Sequence, residues 1–600
     1  MTPSRAHRLA ALLAASSPLL AVACAQGGDG AGGAGGSAEC GEGQVVCAGN
    51  VARVCDGKGG FSGETDCGDQ ACTDGVGCAA CSPQQQSCES GIGKACGDDG
   101  RFFTFECDPV QGMECAPDGC KGACSPAVLG RSYLGCEYWP TVTMNGVFEE
   151  SFSFSVALGS TSADVTAVSI EGPDFVFDSQ LLPYEVKTLS LPWVKSLKGG
   201  SFTPDGNGGL KSVLPTENTQ GKAYRLRTDR PVAAYQFNPL EYENPAPPAS
   251  CPAAQFGGCF SFSNDASLLL PQNALTGNYL VTGYRVVFTG DLLAITATRD
   301  ATEVTLHAGP RSRSLAGAGV EVAPGDTATF TMSRGDVIQL FSKGTSTAQQ
   351  WAGTSITASA PVQVLTGSPC ATIPDLVVAC DHLEETVLPA ETLGRQYAVT
   401  VPRTPQGLAG TPHGGRHVVR IHGVHDGTAL TYSPAGITDE TAIDRGDVIE
   451  IPDVEEDFVV EGTAAFAVTH YMIGEGDASM PDNDGAGAGD PSQSIAIPSE
   501  QFRKDYTFVA PASFDIAFVN VIAPLGVPVE VDGTILTAAD FDPIGDSGKG
   551  VARLALSKVP HHRASAAEPF GIVVYGYGQY TSYMYPGGLD LAKIEDPVPE

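Results

Sequence analysis

A short tyrosine motif recurs along the chain and constrains its architecture more than any other feature. "LGRSY" ends at Tyr133, "LTGNY" at Tyr279, "LGRQY" at Tyr397 and "FRKDY" at Tyr506. In the last three copies a proline (Pro271, Pro389, Pro498) stands eight positions before the tyrosine and follows an apolar residue. Each copy also closes on an apolar run: "PVAAYQF" from Pro231, "PVQVLTG" from Pro361, "AAFAVTHY" from Ala464 and "PFGIVVYGY" from Pro569. Recurrence at roughly 100 residues predicts four stacked or circularised units.

Within each unit, short stretches rich in Val, Ile, Thr, Phe and Tyr alternate with Gly, Asp, Asn and Pro turns, and nothing sustains a helical period. The fold class is therefore all-β. "LLAITATRDATEVTLH" (Leu292 to His307) and "HVVRIHGVHDGTALTY" (His417 to Tyr432) each read as two strands around a turn. About seven or eight strands per unit suffice for one sandwich or for two four-stranded blades. Short turns, as in "GDTATFTMSRGDVIQLF", favour a propeller-like closed array of the four repeats, with tandem β-sandwiches as the alternative.

The N-terminal region is organised differently. Residues 1–23 carry Arg5 and Arg8 and then an apolar run too short to span a bilayer, which reads as a signal peptide. Its end, "LLAVAC", resembles a bacterial lipobox, which makes Cys24 the expected lipidated residue; ordinary cleavage and secretion is the alternative. A Gly/Ala tether occupies 24–39. Of the 19 cysteines, 14 lie between Cys40 and Cys136. Cys40, Cys47 and Cys55 are separated by six and seven residues, as are Cys81, Cys88 and Cys96, which defines two Cys-rich modules, 40–80 and 81–124. Modules this small need covalent staples. Cys124 and Cys136 then close the junction with the β region, 125–590, and Cys251 with Cys259 and Cys370 with Cys380 staple equivalent loops between successive units.

"VLTGSPCA", "CDHLEETVLP", "LGRQYAVTVP" and "LTYSPAGITDETAIDRGDVIEI" together resemble the IgGFc-binding protein N-terminal domain family. The resemblance runs from about Ser125 to Gly588 and is strongest from Ser267 to Ile451. It implies a binding role, but its motifs mark no binding residues.

Several groups invite sharper readings. Asp381, His382, Glu384 and Glu385 follow Cys380 directly but read as the start of a strand. His413, His417, His422 and His425 are close in sequence, yet His417 and His422 point to opposite faces of one strand. Arg334-Gly335-Asp336 and Arg445-Gly446-Asp447 spell RGD at corresponding places, where Gly-Asp is good turn chemistry. Asp477, Asp482, Asp484 and Asp490 lie in a Gly/Ala-rich loop without calcium-loop spacing. Neither a metal nor any other cofactor is expected, and the chain contains no recognised catalytic motif, so it reads as a non-enzyme.

With 69 acidic and 34 basic residues the formal charge is -35, which opposes nucleic-acid binding. The expected protein is an exported adhesion lipoprotein of the cell surface or outer membrane, touching membrane only through its lipid. Its partner is an unidentified extracellular protein or glycan; a glycan or protein hydrolase and a structural envelope component are the alternatives.

Overall fold

The computed structural model describes residues 44–594 apart from 69, 82–84, 98–99, 147–150, 201–202, 205–209, 212–214, 248, 250–258, 288, 347–348, 376–379, 405–414, 475–488 and 579. Cys24, Cys40, Cys251, His413 and most of the aspartate-rich loop lie outside the described residues. The chain divides into two compact units: Met1–Gln85 with Cys96–Phe102, and Gln86–Ala95 with Phe103–Glu600.

In the first unit, strands Val45–Ala48, Val51–Cys55 and Phe61–Asp66 form a small antiparallel sheet. Disulfides Cys47–Cys72, Cys67–Cys78 and Cys81–Cys96 hold it together, and Cys55 is disulfide-bonded as well. The second unit begins with the remainder of the second Cys-rich module, closed by Cys88–Cys115 and Cys107–Cys120. Both modules thus join their second cysteine to their fifth and their fourth to their sixth, the connectivity that composition alone leaves open. Cys124–Cys136 ties the module to the first strand of the β array.

Four repeats follow. In the second, the strands are Asn278–Leu280, Leu292–Ala297, Thr302–His307, Thr327–Met332, Asp336–Phe341, Ser355–Ala358, Val362–Ala371 and Asp381–Thr386. One sheet has the order first, sixth, third, fourth; the other has fifth, second, seventh, eighth. The third repeat uses Gln396–Val399, His417–Gly423, Thr428–Ser433, Ala442–Ile443, Val448–Val454, Phe458–Gly462, Phe466–Tyr471 and Gln493–Ile495 in the same two orders.

In the first and fourth repeats the sixth and seventh strands are fused into one. Arg225–Phe237 (13 residues) pairs through its first part with Gly135–Tyr138 and Thr166–Glu171, and through its last part with Phe154–Ser160 and Ala266–Leu268. His561–Gly578 (18 residues) does the same in the fourth repeat, pairing first with Arg503–Val509 and Val529–Val531 and then with Ile516–Pro524 and Thr581–Pro586.

These orders correct the propeller expectation at the level of the unit. A blade needs consecutive strands paired as a meander, whereas in the second and third repeats the first and second strands, and likewise the second and third, lie in different sheets. The second and third repeats are two-sheet units of the kind offered by the sandwich alternative, and in the first and fourth the fused strand joins the strands into one seven-stranded and one eight-stranded sheet. The second and third repeats enclose their own cores, around Trp351 and Leu306 and around Phe458 and Ile421. Side chains of the first and fourth merge into one larger cluster.

Burial explains the two kinds of strand. Thr302–His307 alternates buried with more exposed positions because only one face of its sheet is covered. Leu292–Ala297, in the other sheet, is buried throughout. Its sheet has the sandwich core on one side and a neighbouring repeat on the other. The turns are local: Gly335 and Gly446 sit between fourth and fifth strands at φ 76° and 80°. Glycine adopts this left-handed conformation without strain, so the structure places both RGD tripeptides in equivalent turns.

The repeat anchor is a buried tyrosine on the first strand. The Tyr279, Tyr397 and Tyr506 hydroxyls donate to carbonyls of Val362, Phe466 and Phe570 and accept backbone N–H groups three residues upstream. In the first repeat the corresponding residue is Tyr138, which donates to the carbonyl of Val232, and not Tyr133. "LGCEY" follows "LGRSY" directly, and only Tyr138 lies within the strand, Gly135–Tyr138.

The short eighth strands meet one another. Ala266–Leu268 packs on Asp381–Thr386, which packs on Gln493–Ile495, which packs on Thr581–Pro586, which packs on Ala266–Leu268. Backbone bridges link Tyr279 with Pro389, Tyr397 with Pro498 and Ser132 with Asp590.

Candidate functional site

The polar run after Cys380 becomes the eighth strand of the second repeat, and Asp381, His382, Glu384 and Glu385 are all fully buried there. Their partners come from the other repeats. Glu384 accepts from Thr143 and, at 2.6 Å, from Gln236 Nε2. His382 Nε2 lies 3.1 Å from Thr143 Oγ1 and 3.6 Å from Glu384. Glu385 accepts from Ser267 Oγ at 2.8 Å and from the Ile495 N–H at 3.3 Å. Asp265 accepts the N–H groups of Glu384 (2.9 Å) and Gln493 (3.3 Å), and Asp381 accepts from Thr581 Oγ1 at 3.0 Å.

Every carboxylate here therefore bonds to another repeat. Burial pushes Glu385 up to about 8 and holds Asp265 and Asp381 well above the ordinary carboxylate range; a neighbouring Asp490 raises Asp381 further. Groups this enclosed cannot meet a substrate. Their chemistry is that of a polar key between strands, in which buried charge must be matched or protonated.

The disulfide Cys370–Cys380 closes the loop that enters this strand, and Cys259 is also disulfide-bonded. Among the described residues, the cysteines that come close enough to suggest a metal centre are Cys88, Cys107 and Cys120, and all three are consumed in disulfides.

An open site lies elsewhere. A cleft of about 600 Å³ is lined by the first strand of the fourth repeat, the start of its long strand and the segment at Tyr133 of the first repeat. Arg503 reaches over the Tyr133 ring at 5.3 Å and pairs with Asp590. Arg563 lies 5.1 Å over Tyr184. Asp532 accepts the Arg563 N–H at 2.9 Å and meets His562 Nδ1 at 2.6 Å. Burial, helped by the charge of Arg563, lowers the His561 pKa. Asp505 and Glu530 are exposed on the same wall. The cleft thus offers two guanidinium groups and several carboxylates within reach of solvent above the buried Tyr133 and Tyr506, a donor and acceptor mixture that orients a polar ligand.

Sequence reading did not single out these cleft residues. The lining comes from five separate segments, around Tyr133, Thr161, Arg503, Asp532 and Arg563, and the signal that was present, the "LGRSY" and "FRKDY" copies, marks only the tyrosines Tyr133 and Tyr506.

His417 and His422 do face opposite sides. His422 Nε2 lies 2.8 Å from Thr469 Oγ1, whereas the His417 ring meets that of His470, with ring centroids 5.8 Å apart.

Residues 265–576, just over half of the chain, match a family model described as IgGFc binding protein. The match starts at the eighth strand of the first repeat, later than the resemblance beginning near Ser125 suggested. The chain is also similar to the human IgGFc-binding protein, at 29% identity over 163 residues; these are 26% of this chain and 3% of that protein, so it spans only a small part of its relative's length. The second and third repeats and most of the fourth, with the strand that keys the first to them, fill the matched region, and the chain belongs to the IgGFc-binding protein family.

Proposed function

We propose that the protein is an extracellular binding protein whose four β repeats close into one array and present the cleft at the seam of the first and fourth repeats to a partner. Family membership carries the binding class. The disulfides of the Cys-rich modules favour an oxidising, exported setting. The circuit of eighth strands and the Ser132–Asp590 bridge support closure. The ligand is an extracellular protein or glycan, and adhesion at a cell surface or outer membrane is the role that suits such a surface. The human relative is named for binding IgG Fc; binding by this chain is expected to be weak or absent, because its resemblance to that protein is confined to 163 residues.

The test is a binding screen of the full exported chain against glycans, matrix proteins and Fc. Arg563→Ala and Glu530→Ala should each reduce capture of a hit by about 5-fold or more without changing the melting temperature. Unchanged capture by both variants would remove the cleft from the reading, and saturable sub-micromolar Fc binding would overturn the view of immunoglobulin. Turnover of a glycan or peptide abolished by Glu530→Gln would favour the hydrolase alternative.

Anchoring through lipidated Cys24 is proposed on the lipobox-like end of the leader. Palmitate should label the protein and should fail to label Cys24→Ala; equal labelling would exclude the anchor.

A further inference from the structure

His417 and His470 form the least satisfied polar pair in the third repeat. They lie on the second and seventh strands, which are adjacent, with His470 opposite Val419 in the register. Both are 1% exposed or less. They share the strand faces of Val419 and Val468, members of the sandwich core, and so lie at one end of its interior. None of their four ring nitrogens has a hydrogen-bond partner.

Buried polar groups are ordinarily paired, so two orphaned imidazoles side by side call for a ligand. Burial keeps both rings neutral, pulling His470 down to about 4 and His417 well below its ordinary value, so their lone pairs are available at neutral pH. The charged group that acts on His417 is Arg553, and its charge is matched by Asp457.

The spacing suits a shared ion. A metal–nitrogen bond of about 2.0–2.1 Å places a metal roughly 3.2 Å from each ring centroid. Two rings 5.8 Å apart then subtend an angle of roughly 130° at the ion. We propose that His417 and His470 bind one transition-metal ion of the zinc or copper kind, with water completing its coordination, and that the ion pins the second strand of the third repeat to the seventh. Imidazole is the ligand both metals accept, and calcium and magnesium prefer oxygen. The pair is invisible to sequence spacing because its members are 53 positions apart.

The full chain, stripped with chelator, is titrated with zinc, copper(II) and calcium by calorimetry and thermal melting. One zinc or copper ion per chain should bind with micromolar or tighter affinity and raise the melting temperature, while calcium does neither. His417→Gln and His470→Gln should each weaken binding at least about 10-fold, a loss that even outer partners of a metal site can cause. If either variant misfolds, the copper(II) electron paramagnetic resonance spectrum of the unmodified protein decides the question. Coupling to two imidazole nitrogens supports the site; absence of that coupling, absence of saturable binding, or binding unaffected by both substitutions overturns it.

Discussion

A tyrosine hydroxyl holds each repeat at its first turn. Tyr397 donates to the Phe466 carbonyl and accepts the Gly394 N–H at 3.1 Å, so Tyr397→Phe leaves two buried backbone groups unpaired. Denaturant unfolding should show a loss of about 1–3 kcal/mol. The recurrence of this residue was legible, but in the first repeat two consecutive candidates stand five positions apart, and only strand pairing selects Tyr138. The buried ionisable groups make a second prediction. A carboxyl whose folded pKa is raised, such as Glu385 at about 8, stabilises below its unfolded value, and that contribution is lost as pH rises through the folded one. Buried imidazoles with lowered pKa, His417, His422 and His470, act oppositely and weaken the fold as pH falls below about 6.5. Once pH is about a unit above 6.5 the unfolded imidazoles are largely neutral, so from there towards 8 the raised carboxyls dominate and stability should fall. Glu385→Gln, which resembles the protonated acid, should flatten the fall in melting temperature; an identical fall in both proteins would refute the assignment.

At the scale of strands and loops, element existence was readable and pairing was not. "LLAITATRDATEVTLH" does contain two strands around a turn, Leu292–Ala297 and Thr302–His307, yet the two never pair with each other. The continuous burial of the first and the alternation of the second assign them to different sheets, a difference that is visible in the residues but open to more than one topology. The polar run at Asp381 was legible as a strand lead-in. Its enclosure was not, since its partners Thr143 and Gln236 come from another repeat. The staple before it can be tested directly. Cys370 and Cys380 are separated by ten positions, and replacing both with serine should reduce stability by about 2–3 kcal/mol. Peptide mapping of the exported chain without reduction should find the pair unalkylated; alkylated thiols at both sites would contradict the bond. A tighter constraint operates at Gly367, where an added Cβ would lie 1.7 Å from the Leu383 carbonyl oxygen. Gly367→Ala should therefore separate the seventh and eighth strands and lower the melting temperature sharply.

Across the whole array, the four repeats were recoverable from one motif and its prolines, because each unit needs the same anchor and the same junction. The seam between first and fourth repeats was not, since no local pattern records which distant segments meet. There Tyr133 lies between the units, accepting the Thr507 N–H at 3.1 Å, and the Asp590 N–H donates to the Gln501 carbonyl at 2.9 Å. Leu589 and Leu591 are fully buried in the shared core. Removing 589–600 should open this seam, converting a cooperative melt into a staged one with early proteolysis in the fourth repeat; an unchanged single transition would show that the seam contributes little. The fused strands of the first and fourth repeats bear on a different property. A pull applied to the two ends of the chain enters through these two repeats, where one continuous strand carries the pairing of both halves. Drawing those halves apart would mean breaking many hydrogen bonds at once along Arg225–Phe237 or His561–Gly578. In the second and third repeats the sixth and seventh strands are separated by only three residues, 359–361 and 463–465, which can swing open without such resistance. Under such tension the first and fourth repeats are the stiff ones, and the second and third are where the array would yield.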